Sequence, residues 1–233
     1  LPHLPEADTQ WCAILPRVWR DRDEPALRTL LERARALGFT GVLIGNLGHL
    51  PLVRGLNFHL YGDYGLNVFN SRSLAYLKDK ELESACVSFE LRFAQIRDLK
   101  KVLRAEAIVY GRLPLMIAEN CLVQNETGCR LDRQGPCVPE DGPCRCGQPN
   151  VLVDRTGAAF PLLPAYGHRT EIQNSKPLYL ADRPEHRRLG LAYARLRFTT
   201  ETAEECVSVV QNYLDAAPAA GDFTRGLYER GVE

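Results

Sequence analysis

Short apolar runs alternate with amphipathic helical patterns in the first half of the chain, and this alternation constrains the fold more than any other feature. Strand-like runs lie within 11–19, 41–46, 59–70, 84–91 and 105–111. Apolar residues at helical spacing lie between several of these runs. Strands that alternate with helices pair in parallel and are covered by those helices, so the sequence predicts an α/β fold.

Helix starts and buried faces can also be predicted from the pattern. Asp23 and Pro25 predict the start of the first helix, Gly38 predicts its end, and Ser71 is expected to cap a later helix. A further helix is expected over 93–103. The first helix is expected to bury Leu27, Leu30, Leu31, Ala34 and Leu37. The last helix is expected to bury Ala203, Cys206, Val207, Val210 and Leu214.

Polar residues follow several of the predicted strands, which suggests a shared functional edge. In a β/α barrel the carboxyl ends of the strands meet at one mouth. Four or five such units make only part of an eight-stranded barrel, so we expect the second half of a TIM-like barrel with its missing strands ahead of Leu1. Open sheet edges favour pairing with another chain, so a homo-oligomer is also expected. The strand-end residues are Arg17, Asn46, Asp63, Asn67, Glu90, Tyr110 and Arg112.

Charge and cysteine placement narrow the class of protein. Lys+Arg and Asp+Glu both number 29, so the whole chain has no net attraction for nucleic acid or anionic membrane. No apolar run approaches the roughly 20 residues that span a bilayer. Five of the eight cysteines lie within 121–146 and the others are scattered among apolar residues. This distribution favours a reducing compartment, the cytoplasm, and a metal site.

The segment 120–150 is rich in Cys, Gly, Pro and Asp, and it needs something other than apolar burial to order it. Four thiolates hold an iron–sulfur cluster or zinc, and zinc also accepts three thiolates with one histidine. The candidate ligands are Cys121, Cys129, Cys144 and Cys146. Because 151–163 predicts a hairpin turning at 155–157, we expect a cysteine-rich, mostly β appendage. The expected domains are a barrel half at 1–118, a metal-binding lobe at 119–183, and a closing strand, helix and tail at 184–233.

Protease signatures are absent from the sequence. It contains no HExxH motif of zinc proteases and no GxSxG nucleophile elbow. His3, His49, His59 and His186 lie near termini or turns and are predicted to be surface residues. The sequence therefore disfavours hydrolysis.

Several blocks, in one order along the chain, carry a family resemblance: YGRLPLMIAENC, LVDRTGAAFPLL, NSKPLYLADR, FTTE and FTRGLYERGV, with support from SFELRFAQIRDL and GDYGLNVFNS. Together they resemble the collagenase-like peptidase family of bacteria, peptidase U32. The resemblance implies a β/α barrel. Some members are described as degrading collagen. Others resemble iron–sulfur proteins that support oxygen-independent hydroxylation of RNA bases or of a quinone precursor.

The resemblance also implies roles for individual residues. His168 stands where the family usually has a further cysteine, so it joins the candidate ligands, with an iron–sulfur cluster as the expected cofactor and zinc as the alternative. Glu90, Tyr110 and Arg112 lie in matched blocks and are candidate catalytic residues, although a structural salt bridge would explain each equally well. The Arg112 fork suits a carboxylate or phosphate. Asp63, Asn67 and Arg169 are the candidate substrate-binding residues.

Three functions remain open on the sequence. The first is a metal-dependent component of oxygen-independent hydroxylation, with RNA or a small aromatic compound as substrate. The second is a collagenase-like peptidase. The third is a non-catalytic binding module in which the metal is structural.

Overall fold

A computed structural model of the chain describes residues 9–127 and 148–231. The described residues form two compact units. The first comprises residues up to 107 together with 190–193, and the second comprises 108–189 together with 194–231. Within these residues, no helix has both the length and the apolar character needed to cross a membrane.

Parallel strands form the first unit's sheet. The strands pair in chain order, so Gly41 of the second strand lies opposite Cys12 on one side and His59 on the other. Val42 and Ile44 are fully buried between this sheet and the covering helices. The result is a curled parallel half-barrel, and the expected α/β fold with a partial barrel is confirmed. The strands are β1 (Cys12–Ile14), β2 (Gly41–Ile44), β3 (His59–Gly62), β4 (Ser84–Cys86) and β5 (Arg104–Gly111), whose second half belongs to the second unit.

The first helix shows how the pattern determines the start, end and buried face. Asp23 occupies the N-cap position, a proline lies in the first turn, and Gly38 has a φ of +89° just beyond the end. Leu27 and Leu31 are buried as predicted, but Leu30 and Leu37 are exposed. At about 100° per residue, these two lie roughly 80–100° from the centre of the buried face. The first unit's helices are α1 (Glu24–Ala36), α2 (Leu50–Val53), α3 (Ser71–Asp79) and α4 (Phe93–Asp98).

Two helix boundaries differ from the sequence prediction. Asn70, rather than Ser71, caps α3, and its side-chain oxygen accepts hydrogen bonds from the backbone N–H groups of Arg72 and Ser73, each at 3.0 Å. The Ser71 hydroxyl instead accepts from the backbone N–H of Lys100 at 2.8 Å. The helix predicted over 93–103 ends at Asp98. The Lys101 ammonium donates to the carbonyl of Ile96 at 2.6 Å and satisfies the helix end.

An antiparallel sheet of four strands forms much of the second unit. Its hairpin turns where predicted, because the Asp154 carboxylate accepts hydrogen bonds from the backbone N–H groups of Thr156 (2.8 Å) and Ala158 (3.0 Å). The cysteine-rich part of the expected appendage, 128–147, lies outside the described residues. In sheet order the strands are β6 (Pro114–Ala118), β9 (Arg169–Gln173), β8 (Ala159–Ala165) and β7 (Asn150–Val153), and α5 (Leu122–Thr127) follows β6.

The last helix of the second unit buries a different face from the one predicted. Val209 and Tyr213 pack into a buried cluster, whereas Val207, Val210 and Leu214 are exposed. The predicted stripe is rotated by about 100°, or one residue, from the observed face. Tyr213 explains the difference, because its hydroxyl lies inside the unit and accepts a hydrogen bond from the backbone N–H of Leu180 at 2.8 Å. The remaining elements are β10 (Leu178–Tyr179) and β11 (Tyr193–Leu196), which both pair with β5, and α6 (Ala203–Asp215).

The carboxy-terminal tail is anchored by an ion pair and a buried tyrosine. The Arg225 guanidinium contacts both oxygens of Asp182, at 2.6 and 2.7 Å, and Tyr228 is buried with its hydroxyl donating to the carbonyl of Ile108 at 2.6 Å. Arg225 therefore has a structural role in the tail.

The cap of α3 yields a stability prediction. Replacing Asn70 with alanine removes the acceptor for two helix N–H groups and should lower the free energy of unfolding by about 1 kcal/mol. Asn70→Asp keeps an acceptor and should retain most of this stability. Urea denaturation of the two variants and the parent protein measures the difference. Equal losses in both variants would contradict the capping role.

Candidate functional site

Polar side chains gather at the carboxyl ends of the first three strands. The Asn46 amide donates to the carbonyl of Arg17 at 3.5 Å, and the Arg17 guanidinium lies 5.4 Å from the centroid of the Tyr64 ring. A Cβ atom at Gly65 would lie 2.6 Å from the carbonyl oxygen of Gly45 and 2.9 Å from Cδ of Arg17. Only glycine therefore allows this close packing, which holds the Arg17 side chain at the strand ends.

Asp63, a predicted substrate-binding residue, is buried at the end of β3. Its carboxylate caps a 3-10 helix by accepting from the backbone N–H of Tyr64 at 2.9 Å, and its own N–H donates to the carbonyl of Ile44 at 2.8 Å. Asn67 ends the same helix in the left-handed conformation, with φ +50°, and is exposed. Asp63 thus shapes the turn, while the side chain of Asn67 faces solvent.

Glu90, a predicted catalytic residue, follows β4 on the same edge of the half-barrel. The backbone N–H of Ser88 donates to the carbonyl of Val68 at 3.0 Å, which joins the two turns that carry Glu90 and Asn67. The Phe89 ring lies 6.0 Å from that of Tyr64, and Glu90 is half-buried. The first unit therefore brings together Asp63, Asn67 and Glu90.

His49 was predicted to lie at the surface, and this is wrong. Its side chain is fully buried, with Nε2 3.1 Å from the carbonyl oxygen of Pro16 and its ring centroid 6.0 Å from that of Trp19, at a tilt of 32°. Nδ1 has no hydrogen-bond partner in the described part of the chain. Burial lowers the pKa of His49, and the hydrogen bond to Pro16 and the charge of Asp63 oppose this shift only in part. His186 is likewise buried, whereas His59 is exposed as expected.

In the second unit, Tyr110 is a buried phenol that retains its proton. Its hydroxyl donates to a carboxylate oxygen of Glu201 at 3.2 Å, and its ring meets those of Tyr179 and Tyr213 edge to face. The other oxygen of Glu201 accepts from the backbone N–H of Thr199 at 2.6 Å. Burial, and then the negative charge of Glu201, raises the pKa of Tyr110 far above neutrality. Tyr110 therefore stays protonated near pH 7, with its proton directed to Glu201.

Arg112 directs one guanidinium nitrogen to the protein itself. Its Nη1 donates to the carbonyls of Asn174, at 3.0 Å, and Ser175, so it holds the turn after β9. The Asn174 side chain accepts from the backbone N–H of Lys176 at 3.1 Å, so Asn174 stabilises this turn. The Arg112 fork is partly committed to structure.

Arg197 is a central residue that no motif indicated. Its Nη1 donates to the Arg112 carbonyl at 2.7 Å and to the buried Gln173 amide oxygen at 2.6 Å, while Nη2 contacts Glu171 at 3.1 Å. A Cβ atom at Gly111 would lie 2.0 Å from the Arg197 carbonyl oxygen, and Gly111 has φ +113°. The glycine of the YGR sequence was the one available signal of this contact, because any side chain at position 111 would clash with the backbone of Arg197.

Arg169, another predicted substrate-binding residue, is only 4% exposed and forms a two-pronged ion pair with Glu119, at 2.8 and 2.9 Å. The Glu119 side chain is 62% exposed, so the ion pair joins the chain just after β6 to the start of β9 near the protein surface. A third bond joins Arg169 to the carbonyl of Tyr166 at 3.0 Å. Both terminal nitrogens of the Arg169 guanidinium therefore donate to oxygens of the protein itself.

Cys121 and His168 lie at one end of the four-stranded sheet. At this end Ala118 of β6 pairs with Thr170 of β9, and the backbone N–H of Leu122 donates to the Thr170 hydroxyl at 3.0 Å. His168 stands two residues before Thr170, in the left-handed conformation with φ +58°. β7 lies on the far side of the sheet from β6 and begins at Asn150, opposite Leu162 in the middle of β8. The topology therefore places Cys121 and His168, but not the start of β7, at this end of the sheet.

The Cys121 thiol is buried and forms no disulfide with another described residue. It is 8% exposed, and its sulfur accepts from the backbone N–H of Gln124 at 3.4 Å. The other predicted ligands, Cys129, Cys144 and Cys146, lie outside the described residues. Across 9–127 and 148–231, no group of three or more histidine, cysteine or carboxylate side chains is placed to hold a metal ion. The ligand set stays a prediction.

The architecture defines a class: an α/β chain with a parallel half-barrel whose polar residues follow the strand ends. The family model for peptidase family U32 matches residues 4–151, and the chain belongs to that family. Comparison with curated proteins finds no significant match, and comparison with solved structures finds none either.

The buried His49 gives a prediction on pH. Because its pKa is lower in the folded than in the unfolded state, the unfolded chain binds more protons below about pH 6.5. We expect the free energy of unfolding to fall between pH 7.5 and 5.5, and to fall less steeply in His49→Gln. The pKa of His186 is also lowered by burial, so His186→Gln should remove a further part of the slope. An unchanged slope in His49→Gln, measured by urea denaturation, would refute the assignment.

Proposed function

We propose that this protein is an iron–sulfur-dependent component of oxygen-independent hydroxylation, acting on an RNA base or a small aromatic compound. Membership of the U32 family supports the proposal, since the family resemblance extends to proteins of this kind. The observation that carries it is the position of the buried, disulfide-free Cys121 at the same end of the sheet as His168, just before the cysteine-rich segment.

The donor set fits a metal group held by thiolates. Cys121 would hold it together with Cys129, Cys144 and Cys146, and His168 would replace one of these. The N–H of Gln124 on the Cys121 sulfur is the kind of hydrogen bond that tunes a cluster's potential. An iron–sulfur cluster supplies one-electron transfer when bound. Three thiolates and an imidazole also suit zinc, which would act as a structural staple in a non-catalytic binding module.

The other candidate residues supply binding groups in this proposal. Tyr110 contributes a protonated phenol that holds the Glu201 carboxylate, and Arg112 offers a permanent positive charge suited to a carboxylate or phosphate. In the first unit, Asn67 provides a polar group on the turn shaped by Asp63, and Glu90 provides one on the turn after β4. Arg169 supports this set indirectly, because its ion pair with Glu119 fixes the strands that carry Cys121 and His168.

The family's peptidase description makes hydrolysis the second candidate. A cysteine or serine nucleophile needs an available imidazole base. Three described histidines have a ring nitrogen committed to an oxygen of the protein: His49 to Pro16, His59 to Glu83 and His186 to Arg183. None of these three rings is hydrogen-bonded to a serine or cysteine side chain in the described part of the chain, which favours hydroxylation over a cysteine- or serine-type peptidase.

Metal analysis of a cysteine variant tests the proposed ligand set. Protein purified without oxygen should contain iron and acid-labile sulfide, and Cys121→Ser should lose most of both. Cys206→Ser, on α6, is the matched control and should keep them. Equal metal content in the parent protein and Cys121→Ser would refute the site. Zinc without sulfide would instead favour the structural-metal module.

Two activity assays separate hydroxylation from proteolysis. Cells that lack this protein should lose one oxygen atom from an RNA nucleoside or a small aromatic metabolite, detected by mass spectrometry. The parent gene should restore the oxygen and Cys121→Ser should not. The purified protein should not cleave gelatin above a buffer control, with or without added zinc. Gelatin cleavage that Glu90→Ala abolishes would reverse the ranking of the two functions.

A further inference from the structure

The edge strand β7 presents an unusually open surface in the second unit. Val151, Leu152 and Val153 are 56%, 46% and 59% exposed, so apolar side chains face outward on both sides of the strand. Protein edges are commonly blunted by charged side chains or proline, and Asn150–Val153 contains neither. β7 therefore lacks the usual protection against pairing with another strand.

The alternating hydrogen bonds between β7 and β8 show which backbone N–H and C=O groups of β7 are not used by β8. The N–H of Asp154 donates to the carbonyl of Ala158 at 3.0 Å, just beyond the β7–β8 ladder. Since antiparallel pairs alternate, Leu152 and Asn150 direct their backbone groups toward β8. Val151 lies opposite Pro161, which has no N–H to donate and fits a position without ladder bonds.

The N–H and C=O groups of Val151 and Val153 therefore point away from β8. No turn, loop or side-chain hydrogen bond found in the described part of the chain uses these four groups. They form a short row of two donors and two acceptors with the same spacing that a neighbouring strand would offer.

We propose that β7 pairs antiparallel with β7 of a second copy of this chain, about a twofold axis at Leu152. Val151 of one copy then lies opposite Val153 of the other, and both pairs exchange N–H and C=O groups, which makes four hydrogen bonds. Leu152 faces its own counterpart. A second copy is the fitting occupant because the row is self-complementary: one register satisfies every open group on both strands, as an isologous contact requires.

The length of the strand limits the strength of this contact. Four residues on each side bury far less than the roughly 1,200 Å² typical of stable interfaces. The dimer should therefore be weak and concentration-dependent, joining two four-stranded sheets into one of eight strands.

A cysteine at the twofold axis tests the register directly. In the proposed pairing Leu152 faces its counterpart in a pair without ladder bonds, where Cα atoms lie about 4.5 Å apart, within reach of a disulfide. Leu152→Cys should form a 152–152 disulfide on mild oxidation, identified by peptide mass spectrometry because the chain has its own cysteines. Arg155→Cys, in the exposed hairpin turn away from the axis, is the matched control and should not cross-link to itself.

Removing one outward donor tests the hydrogen bonds. Val151→Pro deletes an N–H that points away from β8, and two bonds are lost per dimer, so association should weaken about thirtyfold in sedimentation measurements. Val151→Thr keeps the N–H and should associate like the parent. If Val151→Pro disturbs folding, shown by circular dichroism, the disulfide decides. A monomer at every concentration without the 152–152 disulfide would overturn the proposal, as would a dimer unaffected by the proline.

Discussion

The backbone of β5 is the element on which much of the second unit depends. A buried strand must have its N–H and C=O groups paired, and side chains distant in sequence supply partners for β5. The carbonyl of Ile108 accepts from the hydroxyl of Tyr228, that of Val109 from the hydroxyl of Tyr213, and that of Tyr110 from the backbone N–H of Arg197. The tail, α6 and the chain after β11 are thereby fixed to one strand.

Arginine performs a similar structural role around the candidate residues. Arg112, Arg169 and Arg197 each donate to backbone carbonyls, and Arg169 and Arg197 also pair with carboxylates. An arginine fork that suits a ligand also suits a turn that needs its carbonyls satisfied. Arg112 therefore positions the β9 turn in addition to any contact with substrate, and Arg169 sets the strand ends beside Cys121.

The function proposed here rests on one end of the four-stranded sheet. Strand pairing fixes Cys121 and His168 there, and an N–H group already lies on the Cys121 sulfur. In the proposed site, such a preformed corner would lower the ordering cost of gathering ligands from a segment poor in apolar residues, and coordination of a metal would supply folding free energy. The strand ends of the half-barrel offer a separate set of polar groups in the first unit.

Local signals alone determined the parallel half-barrel, the start and end of α1, and the hairpin at Asp154, because each depends on nearby apolar spacing or turn chemistry. The candidate residues Asp63, Glu90 and Arg112 could be placed at strand ends from the sequence, but their contacts could not. The structure differs from the sequence prediction in three places: Asn70 rather than Ser71 caps α3, α6 buries a face one residue away from the predicted one, and His49 is buried. Only the tertiary structure decided these, because burial and hydrogen bonding between distant residues override a one-dimensional pattern when a buried polar group requires a partner.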